Sequence, residues 1–407
     1  MLYNIPILVA GVRHLRRSGE CGRKFSSRSG EGLPTVSIIV PVKDEEKVVR
    51  RLLDAFLNLD YPPEKKEIVI VEDGSIDKTA KICAEAAAQY PDQIRLVHQS
   101  VSNGKPSALN VALKHLRGEI VAVFDADSVV EPDVLVKAAE YFKDSSISAV
   151  QGRPYSINAD ENMLSKFISY EEAVRYETYI RGKDVLSLFV PLTGSCYFVR
   201  RSVLQKVGGW DGESLSEDME LSARLVEGGY RIKYGSDVRC WQENPATISQ
   251  LFRQRLRWFR GCIEVSFKYG KLFKKVNRRC IDAEFTLFGP FMFVPFLLGY
   301  VLGIFSFLGL IQFDVFSSLM AQGAMLLTTV TLLLIGMALF YITKPRKVTN
   351  LLWLPFVYAY WSIQSFVAFY ALIQIFLKRP KRWVKTVKSG TVTSQALKTA
   401  IAAGRDI

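Results

Sequence analysis

Glu119-Ile-Val-Ala-Val-Phe-Asp-Ala-Asp127 sets an unbroken apolar run against two carboxylates spaced two positions apart. A continuous run, rather than an alternating one, suits a strand covered on both faces. Similar runs precede it at Thr35 to Pro41 (TVSIIVP), Glu67 to Val71 (EIVIV) and Ile94 to His98. Stretches that read as helices occupy 44–58, 77–89, 104–117 and 131–143. This βαβα alternation predicts a doubly wound α/β domain whose ligands gather at the carboxyl ends of the strands.

Acidic residues fall just past those ends: Asp44 and Glu45, then Glu72 and Asp73, then Asp125 and Asp127. Carboxylates converging on one rim repel each other unless cations or donors fill the site, so a cation-bearing ligand site is expected there. Taken singly, each has an ordinary alternative as a helix cap or turn residue. Asp125-Ala126-Asp127 can offer oxygen ligands to Mg2+ or Mn2+ and leave positions for a diphosphate. Glu72-Asp73-Gly74-Ser75 ends its strand in a turn whose Asp can accept hydrogen bonds from a base or ribose.

Asn103-Gly104-Lys105, ahead of Ala108-Leu109-Asn110, places a glycine and a lysine at a helix start, where amides and an ammonium can meet phosphate. The GxxxxGK phosphate loop is missing, and Lys105 alone reads as a solvated surface residue. Ser216-Glu217-Asp218 precedes a helix-like stretch, 219–227. Asp218 can serve as a general base toward an acceptor hydroxyl, or simply cap the helix. The three histidines, His14, His98 and His115, stand in no triad-like setting, so Ser-His-Asp chemistry is not expected.

Further on, Gln254-Arg-Leu-Arg-Trp258 reads as a helix with two employed faces. Gln254, Arg257, Trp258 and Gly261 share one side for a polar ligand; Phe252, Leu256, Phe259 and Ile263 mark another that can lie against lipid. Apolar runs at 285–312, 319–342 and 351–377 each reach the ~20 residues that span a bilayer. With 407 residues, a net charge of +13 and a positive mean hydropathy, the chain reads as soluble and membrane parts joined. The charge clusters flank the apolar runs and so face membrane lipids and phosphorylated substrates; no nucleic-acid partner is expected. Six cysteines without CxxC spacing or a neighbouring histidine argue against zinc and for a reducing compartment.

Leu2 to Gly11 is a poor signal peptide, with Arg13, Arg16 and Arg17 behind it; it reads as a short interfacial anchor, the remnant of a longer span, or a frayed tail. The expected divisions are 1–34, apolar segment and basic linker; 35–245, catalytic domain; 246–284, interfacial helices; 285–377, transmembrane region; and 378–407, basic tail.

Together these residues resemble family 2 glycosyltransferases of the GT-A fold, in the membrane-embedded branch that includes cellulose, hyaluronan, chitin and poly-N-acetylglucosamine synthases. The resemblance covers roughly 35–265 and the spans. It rests on Pro41 to Glu45 (PVKDE), Glu72 to Ser75 (EDGS), Gly104-Lys105 with Ala108-Leu109-Asn110, Asp125-Ala126-Asp127, Thr193-Gly194-Ser195, Glu217-Asp218 and QRLRW. It implies a donor site of Pro41, Asp44 or Glu45, Asp73 and Lys105, with Asp125 and Asp127 binding UDP and the divalent metal. It implies Asp218 as catalytic base, with Thr193, Gly194, Ser195 and Glu217 near the acceptor. Gln254, Arg257 and Trp258 would meet the pyrophosphate and acceptor sugar at a channel mouth.

The implied reaction is an inverting displacement in which a UDP-sugar glycosylates a growing polysaccharide or oligosaccharide, in the cell membrane with the catalytic domain cytoplasmic. A lipid glycosyltransferase similar to ceramide glucosyltransferases, or a non-catalytic nucleotide-sugar-binding membrane partner, is the alternative. Many relatives carry N-terminal spans and some a cyclic-dinucleotide module; here only Leu2 to Gly11 precedes the domain, so a complete extrusion channel is not expected. Three full crossings would also put Lys378, Arg379, Lys381, Arg382, Lys385 and Lys388 outside, against the positive-inside tendency. Pro290 and Pro295 make 285–312 the segment most open to doubt as a crossing.

Overall fold

The computed structural model describes residues 3–18, 32–270, 272, 275, 277–342, 354–381, 388 and 390. The four apolar runs form β1 (Val36–Val42), β2 (Lys66–Asp73), β3 (Ile94–Gln99) and β4 (Ile120–Val123). They pair in parallel, with Ile38 opposite Ile68 and Ala122, and Ile68 opposite Ile94. Ile38, Ile39, Val69, Ile70, Val121 and Ala122 are all fully buried, because the pleat sends alternate residues into cores on opposite faces.

Preceding the sheet is helix α1 (Asn4–Ser18). Behind the strands run α2 (Val49–Leu57), α3 (Thr79–Gln89), α4 (Lys105–Leu113) and α5 (Val134–Tyr141). The first crossover helix starts later than its spacing predicts. Asp44 takes a positive φ of 51°, and the amides of Asp44 and Glu45 donate to Ser75 Oγ and Thr79 Oγ1, so 44–48 is committed to a loop.

Past β4 the doubly wound expectation needs correction. The remaining strands are β5 (Val129–Val130), β6 (Ile147–Ser156), β7 (Tyr197–Arg200) and β8 (Arg231–Gln242), and the sheet is mixed, in the order β3-β2-β1-β4-β7-β6-β8-β5. Strand β7 runs antiparallel to both β4 and β6. The chain reaches it through α6 (Met163–Val174), a π-helical stretch Arg175–Ile180 and α7 (Arg181–Val185), then leaves through α8 (Arg201–Lys206) and α9 (Glu217–Glu227). One core packs α2 and α5 on the sheet through Leu52, Phe56 and Val134; the other packs α4, α9 and the π-helical stretch through Leu109, Leu221 and Tyr176.

Five helices follow: α10 (Ile248–Tyr269), α11 (Arg278–Leu287), α12 (Gly289–Phe307), α13 (Val315–Ile342) and α14 (Leu354–Phe376). The Thr247 hydroxyl caps α10 by accepting from the Gln250 amide, and Asn277 caps α11. A fully buried pair, Lys183 Nζ to Asp282 at 2.8 Å, fastens α11 to α7. The apolar face of α10, expected against lipid, is instead covered by its own chain. Ile263 clusters with Val294, Ala368, Ala371 and Leu372, Phe259 meets Phe293, and Phe252 meets Tyr370.

The apolar surface is thereby passed outward to Phe305, Leu310, Val315, Phe316, Leu319, Phe366 and Phe376, all exposed. Among the described residues, Gly289–Phe307 and Ala359–Phe376 are long and apolar enough to cross a membrane, whereas Val315–Val330 is shorter; three such segments were expected.

The N-terminal reading is also corrected. Helix α1 takes in residues 12–18 of the expected linker and docks on the π-helical stretch and α7, with Ile7 buried. Two glycines permit this approach: a Cβ on Gly11 would sit 1.9 Å from Thr178 O, and one on Gly182 1.9 Å from Ile7 O. The rest of that linker, 19–31, and the tail residues Arg382 and Lys385 lie outside the described residues.

Candidate active site

A cavity of about 1140 Å³ opens at the carboxyl ends of β1, β2 and β4 and continues between α10, α12 and α14. Pro41, Glu45, Asp73, Lys105, Asp125, Asp127, Thr193, Gly194, Glu217, Asp218, Gln254, Arg257 and Trp258 all line it. Asp44 and Ser195, grouped with them from the sequence, do not. The Asp44 carboxylate accepts from the Ile76 amide at 2.8 Å and shapes the loop beside Glu45. Ser195 is buried behind the site, where its hydroxyl accepts from the Asp125 amide and meets Ser128 Oγ. Glu72 likewise serves its turn, accepting from the Ser75 amide and facing His98 Nδ1 at 2.6 Å.

Asp73 also works through its loop. Its carboxylate accepts from Ser102 Oγ, the Asn103 amide and the Gly104 amide, which holds the positive-φ Gly104 at the start of α4. That placement aims Lys105 inward rather than into solvent. Its ammonium lies 2.6 Å from Asp125 Oδ1, 2.7 Å from Gly194 O and 3.3 Å from Glu217 Oε1. Burial alone would lower the Lys105 pKa, yet Asp125, Glu217 and Asp218 raise it on balance, so the side chain stays charged.

The second cation comes from the tail. Lys388 Nζ lies 2.7 Å from Asp127 Oδ2 and 2.9 Å from Glu243 O. Burial would raise the Asp127 pKa, but Lys388 and the Glu243 amide outweigh it and hold the carboxyl below its ordinary value. The mutual repulsion expected of the converging carboxylates is thus relieved by two ammonium groups of the protein itself. Sequence reasoning placed Lys388 in the basic tail, since nothing local marks a contact across 261 positions.

Glu217 and Asp218 fall in the first turn of α9, and Ser216, not Asp218, holds the capping position. Burial, then the neighbouring Glu217, push the Asp218 carboxyl up to about 6 against the pull of Lys105. A Cβ on Gly194, whose φ is +80°, would lie 3.3 Å from Asp218 Oδ2, so this loop passes directly over the carboxylate. Thr193 is fixed beside it by its amide to Gln151 Oε1 and by the Tyr176 hydroxyl.

Helix α10 reaches the same point because Gly261 carries no side chain: a Cβ there would be 2.2 Å from Ser216 Oγ. This close approach brings Arg257 and Trp258 onto the cavity beside α9, with Arg257 Nη1 3.4 Å from Leu215 O. Arg255, unassigned from the sequence, is the structural member of QRLRW. It is buried, bonds Glu171 at 2.7 Å and the Tyr360 hydroxyl at 3.2 Å, and packs under the Trp258 ring at 4.5 Å. Sequence reasoning also passed over Gln364, one of two amides, with Gln374, inside the apolar run 351–377, although polar side chains in such a run are themselves a signal.

Residues 34–261 match the family described as glycosyltransferase like family 2. The chain belongs to that family. It is therefore a glycosyltransferase, and its α/β domain has the GT-A-like fold. It is 33% identical to the probable glycosyltransferase YdaM of Bacillus subtilis over 72% of this chain and 71% of that protein. It is 34% identical to a beta-monoglucosyldiacylglycerol synthase of Nostoc over 62% of this chain and 54% of the relative. With the poly-beta-1,6-N-acetyl-D-glucosamine synthase of Staphylococcus epidermidis the figures are 33%, 56% and 55%. The chain thus spans about half the length of these last two curated relatives. The mannosyltransferase PcManGT from Pyrobaculum calidifontis, solved in complex with GDP-Man and Mn2+, superposes with a TM-score of 0.57 at 20% identity, over 91% of this chain and 96% of that one, a likeness of fold.

Proposed function

We propose that the chain is a membrane-bound inverting glycosyltransferase that moves a hexosyl or N-acetylhexosaminyl group from a nucleoside diphosphate sugar, UDP-linked in the first instance, to an acceptor hydroxyl. The observation that carries this reading is the shared cavity: a half-buried carboxylate of raised pKa, Asp218, lies with Asp125, Lys105 and Arg257 around one space. Asp218 takes the acceptor proton as that oxygen attacks the anomeric carbon, and the diphosphate leaves toward Lys105 and Arg257. One base and a single displacement lead to inversion, since Glu217 is engaged by Lys105 rather than available as a nucleophile.

Asp125 and Asp127 form an all-oxygen pair suited to a hard divalent cation, and Asp125 is open enough to reach one, its side chain 36% exposed. They would hold Mg2+ or Mn2+, which when bound neutralises diphosphate charge. Trp258 offers an aromatic face to a pyranose. The exposed apolar residues of α12, α13 and α14 support insertion in the cell membrane, with 35–245 as a catalytic domain on the cytoplasmic side, 246–284 at the interface and 285–377 in the bilayer.

The relatives' names supply two product classes, a glycosylated diacylglycerol and a saccharide polymer. The retained Asp125, Asp127 and Asp218 favour catalysis over a purely binding role. A screen of UDP- and GDP-linked sugars against membranes containing the protein, with and without Mg2+ or Mn2+, tests the reading. Metal-stimulated release of the nucleoside diphosphate is the expected result, and no turnover of any donor would refute it.

A further inference from the structure

Gln364 stands out among the residues that line the deep part of the cavity. It is 1% exposed, it faces the cavity from α14, and neither its amide oxygen nor its nitrogen has a hydrogen-bond partner among the described residues. One helical turn earlier, the Tyr360 hydroxyl is fully employed between Glu171 and Arg255. The Tyr360 hydroxyl is thus satisfied within the protein, and the Gln364 amide is not. A buried amide left unpaired is costly, and a leucine of similar size would pack better. Nearer the base, Gln254 Oε1 is likewise open.

Beyond these two groups the wall is mostly apolar, with Phe259, Phe288, Met292, Phe293 and Leu297 broken by the hydroxyls of Thr286, Tyr300, Thr328, Ser362 and Ser365; those of Thr286, Thr328 and Ser365 already donate to carbonyls of their own helices. Aromatic rings alone can stack on sugars, but Met292 and Leu297 offer neither stacking nor hydrogen bonds. A polysaccharide carries hydroxyls along its whole length and needs polar partners at each step. A lipid needs them only at its head and linkage.

We propose that Gln364 is an acceptor-binding residue and that the acceptor is a membrane lipid with a hydroxylated head group. The head-group hydroxyl lies at Asp218, the linkage carbonyl accepts from Gln364 Nε2, and the hydrocarbon runs along Phe293 and Leu297. This rests on the reading of Asp218 as base. In the transfer the head-group oxygen bonds to the anomeric carbon, the bond from that carbon to the diphosphate breaks with its electron pair leaving on the diphosphate, and the proton goes to Asp218.

The test uses membranes containing the full chain, a radiolabelled nucleotide sugar and added dioleoylglycerol. Label should enter the chloroform phase as a lipid bearing one or a few sugars, rising with dioleoylglycerol. Gln364→Leu should raise the apparent KM for dioleoylglycerol by about tenfold, the loss of roughly one hydrogen bond from bound acceptor. Its kcat and its affinity for the nucleotide sugar should stay near wild type, a split that a merely structural role would not give. Leu297→Trp, which narrows the apolar arm, should turn preference toward shorter acyl chains such as dihexanoylglycerol.

Label found only in an ethanol-insoluble saccharide, or an acceptor KM unchanged in Gln364→Leu, overturns the proposal while leaving glycosyl transfer intact. Nucleotide-sugar binding, titrated separately on each variant, reports folding. If the wild type neither binds nor turns over any donor, the glycosyltransfer reading itself has failed.

Discussion

Replacing Asp218 with asparagine separates its chemical role from its cost to the fold. Burial and Glu217 raise this carboxyl from its ordinary 3.8 to about 6, so at neutral pH it is ionised against its surroundings. A shift of roughly two units at 1.36 kcal/mol each amounts to about 3 kcal/mol. Asparagine has the same shape and can still accept from the Met219 amide, while Lys105 keeps Asp125 and Glu217. Because Lys105 loses one attraction, the net gain should be below that figure, in the range of about 1–2 kcal/mol, or a Tm rise of a few degrees at roughly 2–4 °C per kcal/mol.

The linkage has a definite sign. A carboxyl whose folded pKa is raised contributes stability that is present below about 4 and lost as pH rises through about 6, so the variant's advantage in Tm should open between those values and be full at pH 7. Turnover should fall by about 10²–10⁴, the usual worth of a positioned base. Nucleoside diphosphate binding by titration should be unchanged. In the wild type kcat/KM should rise with pH through about 6 and then level, a limb the variant should lack. Turnover like wild type would remove Asp218 from the chemistry, and a lower Tm at pH 7 would refute the account of its burial.

Other expectations concern the supports of the site. Lys388→Ala removes the ammonium 2.7 Å from Asp127, so Mn2+ affinity, read by electron paramagnetic resonance without substrate, should tighten several-fold; an unchanged affinity would mean that the two cations do not compete. Arg255→Ala breaks the half-buried pair with Glu171 and should cost about 1–3 kcal/mol in denaturant unfolding, more than a surface pair; a loss under about 0.5 kcal/mol would contradict it. Gly11→Leu forces a side chain into Thr178 O and should undock α1, seen as faster amide exchange over residues 3–18 while β1 to β4 stay protected. Unaltered exchange would show that the helix can shift to make room.

Much of the parallel half of the sheet was legible because each strand is a continuous apolar run and each βα junction carries its own turn chemistry. Strand direction is not written locally. Tyr197–Arg200 is four residues long, and only the long path through α6 and α7 makes it antiparallel. In the site, Asp125, Asp127 and Asp218 were readable from type and spacing, whereas the inward aim of Lys105 depends on an Asp73-held loop. Ser195 shares a motif with Gly194, yet adjacent residues in a strand approach point oppositely, so one faces the cavity and the other supports Asp125 from behind. The α10 face was legible as apolar, but not its partner, because the same stripe fits lipid or helix.

The return of Lys388 to Asp127 also constrains where each end of the molecule can be detected. The chain leaves the α/β sheet after β8 and is back against it by residue 388, having passed through α10 to α14. In any bilayer these helices enter, an odd count of passages would strand Lys388 behind ~30 Å of hydrocarbon, out of reach of Asp127. A membrane reading that keeps this contact would need an even number of passages among α12, α13 and α14. On that reading, a pH-sensitive fluorescent reporter joined directly after Gly390 would sample the same side of the bilayer as Asp127.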